Sequence, residues 1–234
     1  MIKRLLRAFG VDGSMVRTEL SISRCQPGGQ LEGTVEVTAG EYPIKVGYVA
    51  FTLLANGLDF HTCQVVEGFS LGAGHRRLFD VTYGAPWETP LTMPGVEISL
   101  LTELELARAV DRSDQDPVEI DPLPAQQAIL DALTELGFHL VESNVERGRL
   151  VGLPQTLDFY QEIAFLPGKP YSHRLNRIEV TFVATREKLH VVVEADRRVH
   201  PLAERDVCGR FAVDAATLAQ TRWPALLDEW LSAI

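Results

Sequence analysis

Cysteine is scarce in this chain: Cys25, Cys63 and Cys208 are its three, too few and too widely spaced for a disulfide framework. That usage suits a reducing interior. Long apolar runs are missing too, and none approaches the roughly 20 residues of a membrane-spanning helix. Positive charge is the third shortage. Lysine and arginine total 22 against 32 acids, a formal net charge of −10. No basic stripe interleaved with aromatics is there for a phosphate backbone to bind. These shortages argue against a disulfide-stapled domain, a helical membrane protein and a nucleic-acid partner. The opening "MIKRLLRAFG" lacks the apolar core and cleavage site of an export signal, so the expected location is the cytoplasm.

With 46% hydrophobic and 23% charged residues, the chain has the composition of a globular protein. At 234 residues it can form one large sandwich or two domains, since domains run on the order of 100 to 150 residues. Ile2, Leu5, Leu6 and Phe9 recur at helical spacing opposite Lys3, Arg4 and Arg7, which predicts a short amphipathic helix within 1–15. Docking on the adjacent domain is its first role. Weak contact with an anionic membrane surface is the alternative.

From Val16 onward the periodicity changes to two. Leu31, Val35 and Val37 alternate with polar residues, and Gly33 interrupts that strand as a bulge or a close backbone approach would. "YPIKVGYVAFTLLANG" is apolar on both faces, as a central strand is. "GAPWETPLTMPG" has three prolines that cannot donate to a ladder, so it is a loop or an edge. Ile98, Leu100, Thr102, Leu104 and Leu106 form another alternating strand. Then "PAQQAILDALTELG" switches to helical spacing, with Pro124 in its first turn and Gly137 as its stop. Strands resume around Phe159 and Ile163, Ile178 to Phe182, and Leu189 to Ala195. The pattern is mainly β and of sandwich type.

Between the last strand of the first half and this helix lie Arg108, where the next buried residue is due, and the acids Asp111, Asp114, Asp116, Glu119 and Asp121. The segment lacks the central glycine and oxygen spacing of an EF-hand loop. It reads as a polar hinge in which Arg108 pairs with a neighbouring acid; a solvated loop is the alternative. His61 and Cys63 share a strand face, but no second pair at ligand spacing follows them, so no metal and no cofactor is expected. "LGAGHRRLF" lacks the spacing and lysine of a P-loop.

Taken in order, several stretches resemble the sporulation-control proteins (sporulation stage zero, M type), a bacterial family with an arrestin-like fold. They are the basic start with "GVDGSMVRTEL", "PGGQLEGTVEVTAG", "APWETPLT", "LTELELARAVDRSDQDPVEIDPLPAQQAILDALTELGF", "PYSHRLNRIEVTFV" and "VVVEADRRV". The likeness runs from Met1 to about Val199, and the tail beyond it matches nothing. The resemblance implies two arrestin-like, immunoglobulin-like β-sandwich domains in tandem and no catalysis. It also implies an interdomain polar cluster of Arg108, Asp111, Asp114 and Asp116 with Asp196, Arg197 and Arg198.

The expected organisation is an N-terminal helix (1–15), a first sandwich (16–121), a hinge and helix (122–138), a second sandwich (139–213) and a C-terminal helix (214–234). In that last helix Trp223, Leu227, Trp230 and Ile234 recur every three or four residues. The stripe either packs on its own sandwich or docks a partner, a second copy included. The expected function is that of a cytoplasmic regulator or adaptor acting through an unknown protein partner. The alternatives are a ligand- or metal-binding sandwich and a hydrolase built on the acidic segment.

Overall fold

The computed structural model describes residues 13–107, 110–198 and 206–234. The expected N-terminal helix, with its membrane contact, lies outside the described residues, as does Arg108. The chain divides into two compact units, 1–86 with 97–120 and 87–96 with 121–234.

Alternating sequence makes the first unit a two-layer β structure. Its strands are β1 (Met15–Ile22), β2 (Arg24–Cys25), β3 (Gln30–Thr38), β4 (Ile44–Ala55), β5 (Leu58–Leu71), β6 (Arg76–Gly84), β7 (Ile98–Leu106) and β8 (Arg112–Ile120). They form a three-stranded sheet, β1-β3-β6, and a five-stranded sheet, β2-β8-β7-β4-β5. Between the layers lie Val16, Leu31, Val35, Val37, Val49, Phe51, Leu53, Leu100 and Leu104, all buried. Phe51 meets Tyr83 edge-on at 5.9 Å. Gly33 does mark a close approach. It faces Leu20 beside a β1 bulge, and a Cβ there would stand 2.5 Å from the Glu19 carbonyl oxygen.

The acidic segment is a strand rather than a hinge. Its 112–120 portion pairs with β7 from Ile98–Val118 to Leu104–Arg112. The reason is periodicity that the acids masked: Val118 and Ile120 are buried while Pro117 and Glu119 are exposed. Proline is tolerated because β2 reaches only Glu119 and Ile120, which leaves β8 an edge at Pro117.

The second unit holds α1 (Pro124–Glu135), β9 (His139–Arg147), β10 (Phe159–Leu166), β11 (Leu175–Ala184), β12 (Leu189–Arg197), β13 (Asp206–Val213), α2 (Ala215–Gln220) and α3 (Trp223–Ala233). Its strands make one antiparallel sheet in the order β13-β12-β11-β10-β9. Helix α3 packs on α1 and on the face of this sheet that carries Gly209 and Phe211, completing a second layer over it. The mainly β class expected from the sequence is the class observed.

Segment 87–96 folds with the second unit, although sequence order places it among the strands of the first. Proline-rich and unable to join a ladder, it is held mainly by side-chain bonds and by one backbone bond to β9. The Glu88 carboxylate accepts from Thr156 N (2.8 Å), Thr156 Oγ1 (2.7 Å) and Leu157 N (3.2 Å). Gln161 accepts from Leu91 N (2.8 Å) and donates to Leu91 O (2.9 Å). Ser143 N donates to Pro94 O at 2.7 Å. Gly95 sits at φ +96°, where a Cβ would lie 2.3 Å from Ser143 O.

Gly95→Ala is therefore expected to destabilise the second unit by about 1–3 kcal/mol, since backbone must move and φ is strained. Urea unfolding measures the loss. An unchanged midpoint would mean the segment is not seated against β9.

Candidate functional site

Two of the predicted acids, Asp111 and Asp114, are engaged by their own unit's backbone. Asp111 Oδ1 accepts from Leu106 N at 3.0 Å. Asp114 Oδ2 accepts from Thr18 N at 2.9 Å, and its Oδ1 from Gln115 N at 3.0 Å. The Asp114–Thr18 bond joins β8 of one sheet to β1 of the other. Beside it the Thr18 and Thr102 hydroxyls bond at 2.5 Å. Asp116 is half-buried opposite Leu100.

The basic member of this seam is Arg112, which sequence reasoning missed. It is 7% exposed and donates through Nε to Ser14 O (3.4 Å), and through Nη1 to Val110 O and to Asp111 O (3.3 Å). Its charge is thus solvated by carbonyls, the form in which a buried cation is tolerated. The signal was present, because Arg112 opposes Leu104 and stands in phase with Val118 and Ile120. The five neighbouring acids drew the reading of the segment to Arg108 instead.

Asp196, Arg197 and Arg198 find their partners in the second unit. Asp196 accepts from Asn176 Nδ2 at 3.2 Å, and Arg198 Nε donates to Leu175 O at 3.1 Å. Arg197 donates to Ile234 O at 3.4 Å, while Arg174 donates to Leu231 O (3.2 Å) and Ser232 O (3.3 Å). These two cations sit where the last carbonyls of α3 carry partial negative charge.

Of the tail stripe, Trp223 and Leu227 are buried, and Trp230 and Ile234 half-buried. Trp223 stacks on Phe211 at 5.9 Å, and the Trp230 ring lies over Gly209, where a Cβ would come within 2.7 Å of it. Asp228 accepts the Tyr171 hydroxyl at 2.6 Å. Burial, with the Asp228 bond and charge, pushes the Tyr171 phenol up to about 12. The stripe is thus largely consumed by its own sheet. Between α3 and β13 remains an apolar groove of about 450 Å³, and Leu226 at its mouth is 39% exposed.

The opposite face of this sheet is acidic. Register places Glu142, Glu146, Glu162, Glu179 and Glu194 on it, with Glu179 directly opposite Glu194. Arg177 relieves part of the repulsion through Glu179 (2.9 Å) and Glu142 (3.2 Å). Partial burial raises the Glu162 carboxyl above its ordinary range, and Glu179, Glu146 and Glu194 raise it further, against a lowering bond from Tyr160.

His61 and Cys63 share a strand with no metal-binding group around them: among the described residues no three His, Cys, Asp or Glu stand close enough to hold an ion. The His61 carbonyl instead accepts the Tyr83 hydroxyl at 2.8 Å. No described helix is long and apolar enough to cross a membrane.

The model of the SpoOM protein family matches residues 2–199. The sporulation-control protein spo0M of Bacillus subtilis (strain 168) is 27% identical over 213 residues, 86% of this chain and 82% of the relative. The crystal structure of Spo0M from Bacillus subtilis superposes with a TM-score of 0.81 at 25% identity, over 94% of this chain and 98% of that one.

Two outcomes are expected. Asp114→Ala removes the acceptor for Thr18 N and should lower stability by about 1–2 kcal/mol in urea unfolding; no change would mean that water replaces the carboxylate freely. Glu162→Gln should stabilise the fold near pH 7. A raised carboxyl makes ionisation unfavourable in the folded state, so the wild type loses stability as pH rises through that folded value. The variant's advantage should fade as pH drops below the ordinary value of 4.5. An advantage that is independent of pH would contradict the assignment.

Proposed function

Because this chain belongs to the SpoOM protein family, we propose that it is a cytoplasmic regulator that acts by binding other proteins rather than by catalysis. The observation that carries this reading is the apolar groove beside β13. Exposed Leu226 and half-buried Trp230 line it with the residue types that anchor protein contacts.

The charged groups offer less to chemistry. Asp111 and Asp114 are engaged by main-chain N–H groups, and Arg112 by carbonyls, so the acidic segment serves as structural glue rather than as an acid–base pair. The hydrolase reading would need a free carboxylate in an enclosed cleft, and those two acids supply none. Sporulation control is what the Bacillus subtilis relative is named for. A related regulatory task in this chain's own host fits the shared fold.

The test is affinity purification from the native cells under crosslinking, with wild type beside Leu226→Asp. Leu226 is exposed, so the variant should fold. The expected result is a reproducible protein partner whose recovery falls with the variant. Recovery of a bound metal or small molecule and no protein would overturn the adaptor reading.

A further inference from the structure

The three sheets of the described residues have six edges, and each edge presents outward N–H and C=O groups that template another strand. Among the described residues five are blunted. Strand β2 is two residues long. Strand β1 gives Thr18 N to Asp114. Strand β5 is irregular, with register shifts at Val49/Ala50 and Leu53/Leu54, and its His61 carbonyl takes the Tyr83 hydroxyl. Strand β6 carries two exposed arginines, Arg76 and Arg77, the latter's guanidinium 4.7 Å from the Phe79 ring and 5.2 Å from that of Phe69. Strand β9 is met by Pro94 at Ser143.

Among the described residues the sixth edge, β13, shows no register shift and no loop bonded to its main chain, and its one arginine, Arg210, is bonded to Val151 O. Its eight residues pair with β12 in unbroken register from Leu189–Val213 to Asp196–Asp206. Its backbone bonds among the described residues run to β12, apart from a loose Cys208 thiol contact at 4.0 Å. The apolar groove runs along one face of this edge. On the other face exposed Cys208 stands opposite exposed Glu194, which stands opposite Glu179.

We propose that β13 accepts an extended segment of a partner protein as an added strand. Every second side chain of that segment is apolar and enters the groove, and a lysine or arginine opposite Cys208 reaches over the small thiol to Glu194. The proposal rests on the adaptor reading and specifies its surface. Main-chain bonds supply the docking and alternate side chains the selectivity, which is how strand addition works. Local charge selects the occupant. Glu194 and Glu179 are two acids in line with the edge, and the chain's net charge is −10. A second copy fits less well, because the one basic residue its β13 offers is Arg210, already held by Val151 O at 2.7 Å.

The probe is a labelled nine-residue peptide in which valine and isoleucine alternate with threonine around one central lysine, titrated into the full chain by fluorescence anisotropy. Two further peptides are N-methylated at odd or at even positions. Only every second N–H of an added strand faces its neighbour. One methylated peptide should therefore lose about tenfold or more in affinity, while the other keeps it. Leu226→Asp and Glu194→Gln should each weaken the parent peptide.

No binding, equal behaviour of the two methylated peptides, or indifference to Leu226→Asp would overturn the proposal. So would a wild-type dimer, seen by sedimentation, that dissociates in Leu226→Asp, since the edge would then belong to a second copy. A cellular partner that ignores Leu226→Asp would sink the β13 assignment while leaving the adaptor reading standing.

Discussion

The structure depends on what happens to main-chain N–H and C=O groups at the margins of its sheets. Inside a sheet the ladder satisfies them; at a margin each must find a side chain, a loop or water. Thr18 illustrates the first solution. Its N–H points away from β3 and is met by the Asp114 carboxylate from the facing sheet, while its hydroxyl bonds Thr102 beneath. An anionic acceptor makes a stronger bond than a neutral one, so a single aspartate can fasten one sheet to the other along that seam. Arg112 does the converse, supplying donors to the Ser14, Val110 and Asp111 carbonyls. The acid-rich stretch thus belongs to the sandwich because strand margins need charged partners.

The same rule governs segment 87–96. Its prolines forfeit donors, so it cannot become a strand, yet it lies against one. The side chains of β10 and of the loop before it compensate. Gln161 is nearly buried and presents both ends of its amide to Leu91, imitating a backbone pair. Glu88 gathers the Thr156 and Leu157 donors. Such side-chain mimicry is specific: a leucine at 161 would keep the volume and lose both bonds. Gly95 is the steric part of the same fit, since any side chain there meets the Ser143 carbonyl.

Strand alternation, helix α1 and the glycine at the β1 bulge were legible in the sequence because each rests on local periodicity or on one residue's backbone freedom. Pro124 and Gly137, at φ +85°, bound the α1 region as their chemistry predicts. The acidic segment was misread because its polar residues are used at an edge, where alternation of Arg112, Asp114 and Asp116 does not mean burial of carbon. The roles of Asp196, Arg197 and Arg198 were hidden for another reason. They act on partners such as Asn176, Ile234 and Leu175, whose proximity only the folded sheet creates. The tail stripe was legible as apolar; whether it faced its own sheet depended on Gly209, which leaves room for the Trp230 ring.

These margins also separate structure from function. A margin closed by an aspartate bonded to its main chain, or lined by exposed arginines, offers little to a partner. One left regular beside an apolar groove retains a standing liability to pair with the wrong strand. The chain has blunted β1, β5, β6 and β9 by four different means, so the means to blunt β13 were within its repertoire. A lysine in place of Cys208, or a bulge near Gly209, would have sufficed. That β13 instead keeps small residues at 208 and 209, between Glu194 on one face and Trp230 on the other, is consistent with an edge that is used.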